Sequence, residues 1–316
     1  MKAKRLALIL VLGFGAISSA VGVASAQPPP CSEHISLSPI SLYGGQGAGL
    51  ALDRHGNLFV AENVNAYITP SGPLVSKVTP QGVKTTVVPQ GILGDVTALA
   101  VDGQGNLYVA DGNGFGNGQP PSRNAVWKVD PQGNISLFVF AINNPTGLAL
   151  DAEQNLYVAS FADSAVYKYS RAGTLVGRVI AGLPDAPYGI AFDSSRNLYI
   201  AGMGKLSTGT RIYKVTRPSH LSVFFDGAPL TAPYSLVFDS QGNLYASYYN
   251  GLKIVRIAPD GSSVVFPGGC VGDDAVNGLA ITRVFLYAAV NGGRTTAQPA
   301  VVKLAGIVPP PPVSYK

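Results

Sequence analysis

Three histidines and two cysteines are spread through 316 residues, which leaves little material for metal or nucleophile chemistry. His34, His55 and His220 stand at no metal-ligand spacing from one another or from a cysteine, and no Cys/His or Ser/His/Asp arrangement stands out. Charge is scarce as well, at 12% of residues, and no run of Lys or Arg interleaved with aromatics occurs. The formal charge of +5 includes Lys2, Lys4 and Arg5; setting aside the first 26 residues leaves 19 cations against 17 acids, or +2. A nearly neutral chain has no electrostatic footprint for a phosphate backbone, so nucleic acid is not an expected partner. A helical period of 3.6 residues is missing after residue 26, which argues against a helical architecture. Apolar residues, at 47%, are instead plentiful enough for a core and too plentiful for disorder.

The start of the chain reads as an export signal over residues 1–26. Three cations precede an apolar run from Leu6, and Ala24-Ser25-Ala26 offers a small-residue cleavage site before Gln27. If retained, the 21-residue stretch Leu6–Ala26 is long enough to serve as an anchor; after cleavage no membrane span remains. The expected location is therefore secreted or periplasmic. A Pro-rich leader, 27–36, and a Pro-rich tail, 306–316, flank the body at 37–305.

That body is a repeat. GLALDRHGNLFVA begins at Gly49, ALAVDGQGNLYVA at Ala98, GLALDAEQNLYVA at Gly147, GIAFDSSRNLYIA at Gly189 and SLVFDSQGNLYAS at Ser235. A degenerate sixth copy, GLAITRVFLYAAV, starts at Gly278 without the aspartate. The aspartates at 53, 102, 151, 193 and 239 are spaced by 49, 49, 42 and 46 residues, the length of one four-stranded propeller blade. The second copy shows the four strands plainly as Ala98–Val101, Asn106–Ala110, Ala125–Val129 and Ile135–Phe140, rich in Val, Ile, Tyr and Phe. The predicted fold is all-β: a six-bladed β-propeller of four-stranded antiparallel blades.

Each piece of the repeat has a physical reason. Small residues open the first strand because six such strands converge on one axis. The Asp-x-x-Gly-Asn turn lets the carboxylate accept backbone N–H bonds, with positive φ expected at both glycine and asparagine. Lys77, Lys128, Lys168, Lys214, Arg256 and Lys303 recur in third strands and read as solvent-facing cations that discourage edge pairing. The last blade lacks a fourth strand of its own, and alignment makes Leu37–Tyr43 the spare strand, so the N-terminal segment should close the ring.

Alternation of strand direction puts the Asp turns on one face, and the second-to-third loops and blade crossings on the other. Loops Glu62–Pro73, Asp111–Asn124, Gly202–Thr210 and Asn291–Gln298 are all on this second face and longer than turn geometry needs. The crossings share a position while varying in identity: Asp95, Thr97, Thr146, Asp185 and Tyr188, then Tyr234, Asp273, Asp274 and Asn277. Converging at the channel mouth, they are candidates to bind a small polar or glycan-like ligand. The glycines at 45–49 and 112–118 precede no helix and are not phosphate loops. For Cys31 and Cys270 two arguments oppose each other: export favours a bridge, whereas strand direction sets them on opposite faces, nearly 20 Å apart for a strand of about six residues.

The pattern Gly-Leu-Ala-Leu-Asp-x-x-Gly-Asn-Leu-Tyr-Val-Ala, followed by Val-x-Lys-Val-x-Pro-x-Gly, resembles the NHL repeat and the SMP-30/gluconolactonase-like propellers. That resemblance implies the propeller fold and, in the lactonases, a divalent cation such as calcium held by a glutamate, an asparagine before Gly-Leu-Ala, and an aspartate in a Pro-Asp-Gly crossing. Asn277-Gly278-Leu279-Ala280 matches the asparagine motif. The crossings, however, read Pro145-Thr146-Gly147, Pro187-Tyr188-Gly189 and Pro233-Tyr234-Ser235, and Gly47-Ala48-Gly49 offers no glutamate. The leading expectation is thus a monomeric binding module with no cofactor, engaging a small molecule, glycan or protein through its variable loops. The alternative is a lactonase-like or lyase-like enzyme that uses Asn277 and a divalent cation.

Overall fold

The computed structural model describes residues 31–36, 49–62, 72–112, 124–203, 209–216, 219–227, 232–248, 254–265, 276–290 and 300–305. Among these residues every regular element is a strand. The first, β1 (Cys31–Ser36), stands apart from the blade that follows it. Blade 1 comprises β2 (Leu50–Leu52), β3 (Leu58–Glu62), β4 (Leu74–Val78) and β5 (Lys84–Val88). Blade 2 comprises β6 (Val96–Val101), β7 (Leu107–Asp111), β8 (Ala125–Val129) and β9 (Ile135–Val139). Blade 3 comprises β10 (Pro145–Leu150), β11 (Leu156–Ser160), β12 (Ala165–Tyr169) and β13 (Leu175–Ala181). Blade 4 comprises β14 (Pro187–Phe192), β15 (Leu198–Gly202), β16 (Arg211–Thr216) and β17 (His220–Asp226). Blade 5 comprises β18 (Pro233–Phe238), β19 (Leu244–Tyr248), β20 (Ile254–Ile257) and β21 (Ser263–Val265). Blade 6 has β22 (Val276–Ile281), β23 (Phe285–Val290) and β24 (Ala300–Ala305), and its fourth strand is β1.

The ring is therefore closed by the N-terminal segment as expected, but by a different stretch of it. Cys31–Ser36 pairs antiparallel with β24, Ser36 opposite Ala300 and Cys31 opposite Leu304. The predicted strand Leu37–Tyr43 lies outside the described residues and is not the partner of β24. Only the backbone of Cys31 is described, at the Asp-turn end of blade 6, and Cys270 lies outside the described residues.

Among the described residues the core is divided into six clusters between neighbouring blades and a smaller seventh, of Tyr188, Met203, Ala232 and Tyr234, at the crossings. One joins Phe59 and Val75 of blade 1 to Leu99 and Val109 of blade 2, and equivalents follow around the ring. The sixth joins Leu50 and Val60 to Ala280, Ala289 and Val301, so blades 1 and 6 share buried apolar surface. At the axis the inner strands touch backbone to backbone. A Cβ on Gly147 would overlap the Tyr188 carbonyl oxygen, and one on Gly189 would overlap that of Tyr234. These two glycines have no side chain because the neighbouring strand occupies the space.

The Asp turns work through their carboxylates. Asp102 Oδ1 accepts the backbone N–H of Gln104 and Asn106 at 2.9 Å, while Oδ2 accepts the Asn106 amide at 2.7 Å and the Tyr108 hydroxyl at 3.2 Å. Positive φ falls on one residue of the turn, Gly56, Gly105 or Gly242, and on Gln154 and Arg196 where glycine is missing. The expectation of positive φ at asparagine is corrected, since asparagine serves as a side-chain donor. The recurring cations need correction too. Lys128 lies over the Tyr108 ring at 6.0 Å, Lys168 over Tyr157 at 5.1 Å and Lys214 over Tyr199 at 5.2 Å, each capping the ring directly opposite in the ladder. They sit on third strands, which are not edges, so a cation–aromatic pair accounts for them.

Two expectations follow. Gly147→Ala should destabilise the protein by about 1–3 kcal/mol in urea denaturation, as overpacking does, while alanine at Gly177, where an added Cβ meets nothing within 4 Å and φ is not positive, has neither overlap nor backbone strain to relieve. Burial alone would raise the Asp102 carboxyl, but hydrogen bonds from Asn106, Gln104 and Tyr108 outweigh it and hold the group below its usual 3.8. Asp151 is lowered against burial in the same way, by Asn155 and Lys168. A depressed folded-state pKa stabilises above the unfolded pKa and is lost as pH falls through the folded one. The melting temperature should therefore hold steady above about pH 5 and fall below 3.8, and Asp102→Asn should flatten that fall.

Candidate functional site

The inner strands β2, β6, β10, β14, β18 and β22 enclose an axial channel of about 350 Å³. Toward the Asp-turn face its walls are apolar, with Leu52, Phe192, Phe238 and Ile281. Toward the crossing face they become polar but carry no charge among the described residues: Thr97, Thr146, Tyr234, Ser235 and Asn277.

This polar collar comes from one repeat position, the residue just before the small residue of each inner strand. In blades 2 to 6 it is Thr97, Thr146, Tyr188, Tyr234 and Asn277. Most of these side chains bond to the next blade. Thr97 Oγ1 donates to the Pro145 carbonyl at 2.6 Å, and Thr146 Oγ1 to the Pro187 carbonyl at 3.0 Å. The hydroxyls of Tyr188 and Tyr234 bond to each other while their rings stack with centroids 3.9 Å apart. Ser235 Oγ, one residue further on, accepts the Leu279 N–H at 3.1 Å and so links blade 5 to blade 6.

Asn277 is different. It is 2% exposed, and neither Nδ2 nor Oδ1 has a partner among the described residues. A buried amide with both ends unsatisfied carries a desolvation cost of about 1–3 kcal/mol and signals that something else completes it.

The structure brings Thr97, Thr146, Tyr234 and Asn277 to the channel wall, with Tyr188 against Tyr234. Asp95 and Asp185 are not on that wall. The Asp95 N–H donates to Asp111 Oδ1 at 2.8 Å, tying down the crossing into blade 2. Asp185 accepts the Tyr213 hydroxyl at 2.7 Å and faces Arg211 Nε at 3.3 Å; burial, reinforced by Asp185, holds the Tyr213 phenol well above its usual range. Asp273 and Asp274 lie outside the described residues.

Sequence reasoning passed over Asp111, which is fully buried and accepts from Gly94, Asp95 and Trp127 Nε1. It also passed over Glu62, at the equivalent end of β3, which is 2% exposed and bonded to Ser76 and Lys84. In the sequence both marked only where a strand gives way to a long loop, with nothing to show that their carboxylates are buried.

A hard divalent cation needs six to eight oxygens, usually several from carboxylates. Among the described residues no carboxylate lines the channel, and no group of three or more His, Cys, Asp or Glu side chains is placed to hold a metal ion. These residues do not fit a calcium site.

No protein-family profile and no curated protein matches the sequence. Solved structures do match the fold. Virginiamycin B lyase from Staphylococcus aureus aligns with a TM-score of 0.60 at 12% identity, covering 83% of this chain and 96% of the lyase. A streptogramin B lyase aligns at 0.59 and 13%, covering 86% and 97%. A chain of a nidogen/laminin complex aligns at 0.60 and 16%, covering 73% and 83%. Likeness at such low identity defines architecture alone. The chain is a six-bladed β-propeller.

The collar makes one member's structural role measurable. Thr97→Val, which keeps the shape and removes the hydroxyl, should cost about 1 kcal/mol in chemical denaturation by leaving the Pro145 carbonyl without its donor.

Proposed function

We propose that this protein is an exported binding module that holds a small, neutral, polar ligand of glycan type at the polar end of its axial channel. It acts as a monomer, in a secreted or periplasmic setting, and needs no cofactor. The observation that carries the reading is Asn277, a buried amide in the channel wall whose donor and acceptor have no partner among the described residues, beside a channel whose other polar groups are largely engaged with one another. An uncharged collar selects against ions, because a charged ligand would lose its hydration and find no opposite charge there. A ligand bearing an amide or adjacent hydroxyls matches Asn277 in kind, and the apolar walls below accept its less polar face.

The enzyme reading rests on Asn277-Gly278-Leu279-Ala280 and on the lyases among the structural neighbours. It requires oxygens from Asp273, Asp274 or other residues outside those described to complete a cation site.

The two readings separate experimentally. With N-acetylglucosamine as probe, whose acetamido group mirrors an asparagine amide, calorimetry should detect binding in the presence of a chelator. Asn277→Leu should weaken that binding at least tenfold and leave the melting temperature unchanged or higher, since it removes an unsatisfied buried amide. Binding that survives Asn277→Leu would overturn the site. A strict need for calcium, together with turnover of a sugar lactone, would establish the enzyme instead.

A further inference from the structure

A cavity of about 780 Å³, larger than the axial channel, is away from the axis, in the groove between blades 3 and 4. Its origin lies in two departures from the repeat. In blade 2 the bulged residue of the outer strand is Phe138, whose ring packs edge-on against Tyr108 with centroids 4.9 Å apart. In blade 4 the same position is Phe224, which packs edge-on against Tyr199 at 4.9 Å. In blade 3 it is Val179, and the tyrosine beneath is Tyr157. Two residues earlier, blades 2 and 4 have Ser136 and Ser222, whereas blade 3 has Gly177, where an added Cβ would meet nothing within 4 Å. Blade 1 also has valine there, Val87, but Trp127 of blade 2 packs against the same cluster. Among blades 1 to 4, only the blade 3 groove thus combines a missing ring with a missing side chain, and Tyr157 is left 8% exposed against 2% for Tyr108 and 4% for Tyr199.

We propose that this groove binds a neutral small molecule through a single aromatic ring, seated where Phe138 and Phe224 sit in the flanking blades. The floor suits a ring: Tyr157 meets Phe192 edge-on at 4.8 Å, leaving an aromatic surface ready for a third partner. The rim suits neutrality. Its acids are each matched by a cation, Asp151 by Lys168 at 2.9 Å, Glu153 by Arg196 at 3.0 Å and Asp193 by Lys214 at 3.9 Å, and the remaining lining cation, Arg178, lies over the Tyr167 ring at 5.4 Å, so no acid awaits a charged ligand. The volume falls within the range of small-molecule pockets. The site shares Phe192 with the apolar wall of the axial channel but none of the polar collar residues.

Phenol is the probe, with benzoate and benzylamine as charged comparators, and the readout is the methyl NMR spectrum of the full-length protein. Phenol should produce saturable shifts at Val176 and Val179, both in the groove, and bind more tightly than either comparator. Val179→Phe, which restores the residue of blades 2 and 4, should weaken phenol binding at least tenfold and leave the melting temperature equal or higher. If that variant fails to fold, Gly177→Phe fills the groove from its open side and should abolish binding in the same way. Asn277→Leu should leave phenol binding unchanged. Saturable shifts mapping elsewhere, phenol binding undiminished in a folded filling variant, or tenfold tighter binding of benzoate would each overturn the proposal.

Discussion

Six β-strands cannot meet around one axis unless each presents almost no side chain to its neighbour. The rest of this structure follows from that crowding. At Gly147 and Gly189 the adjoining strand's carbonyl oxygen takes the space a Cβ would need, and at Gly49 a Cβ would lie 3.0 Å from the Leu99 nitrogen. The centre is therefore backbone, and backbone at a convergence point brings polar groups that need partners. Thr97 and Thr146 answer this by donating to carbonyls of the following blade, and Ser235 answers it by accepting an N–H. The collar around the channel is first a solution to backbone satisfaction, and a binding surface second.

A centre without large side chains forces the hydrophobic core outward. Each blade twists enough to bury one face against the blade before and the other against the blade after, which gives six cores of similar make-up in place of one. Such a ring has no natural end, and its last interface forms only if the first and last blades are held together. Here β1 completes blade 6, so residues from both ends of the chain share one sheet. The cluster of Leu50, Val60, Ala280 and Val301 then closes as a core of the same kind as the others.

Much of this was readable in advance because repetition multiplies a weak signal. The predicted second blade differs from β6 to β9 by no more than two residues at any boundary, and the shortened sixth blade was recognised even though Thr282 replaces the aspartate. Thr282 Oγ1 takes over the duty, accepting from Val284 and Phe285. What occurs once was harder to read. The closing strand has no repeat to align with, so an alignment of neighbouring blades slid it to Leu37–Tyr43. The cations repeat, but a one-dimensional pattern shows that Lys128 alternates with apolar residues without showing that Tyr108 stands opposite it. Asn277 was picked out as a crossing residue, yet its unsatisfied amide is a fact of three dimensions.

Departures from a repeat then fall into two kinds, and the distinction locates function better than any single motif. Some are compensated. Gln154 replaces a turn glycine at positive φ, but its side-chain oxygen accepts the Gly103 N–H of the previous blade at 2.7 Å; Arg196, at the same place one blade on, pairs with Glu153. Strain at one backbone angle is offset by a link between blades, and nothing further needs explaining. Others are not compensated. Asn277 leaves two polar atoms buried without partners among the described residues, and Val179 with Gly177 leaves a groove that blades 2 and 4 fill with a ring. A protein that fills the same positions with Thr97 and Thr146 in the collar, and with Phe138 and Phe224 in the grooves, has no difficulty of fold that would force these exceptions. Where local consistency fails without a compensating contact, the missing partner is best sought outside the chain.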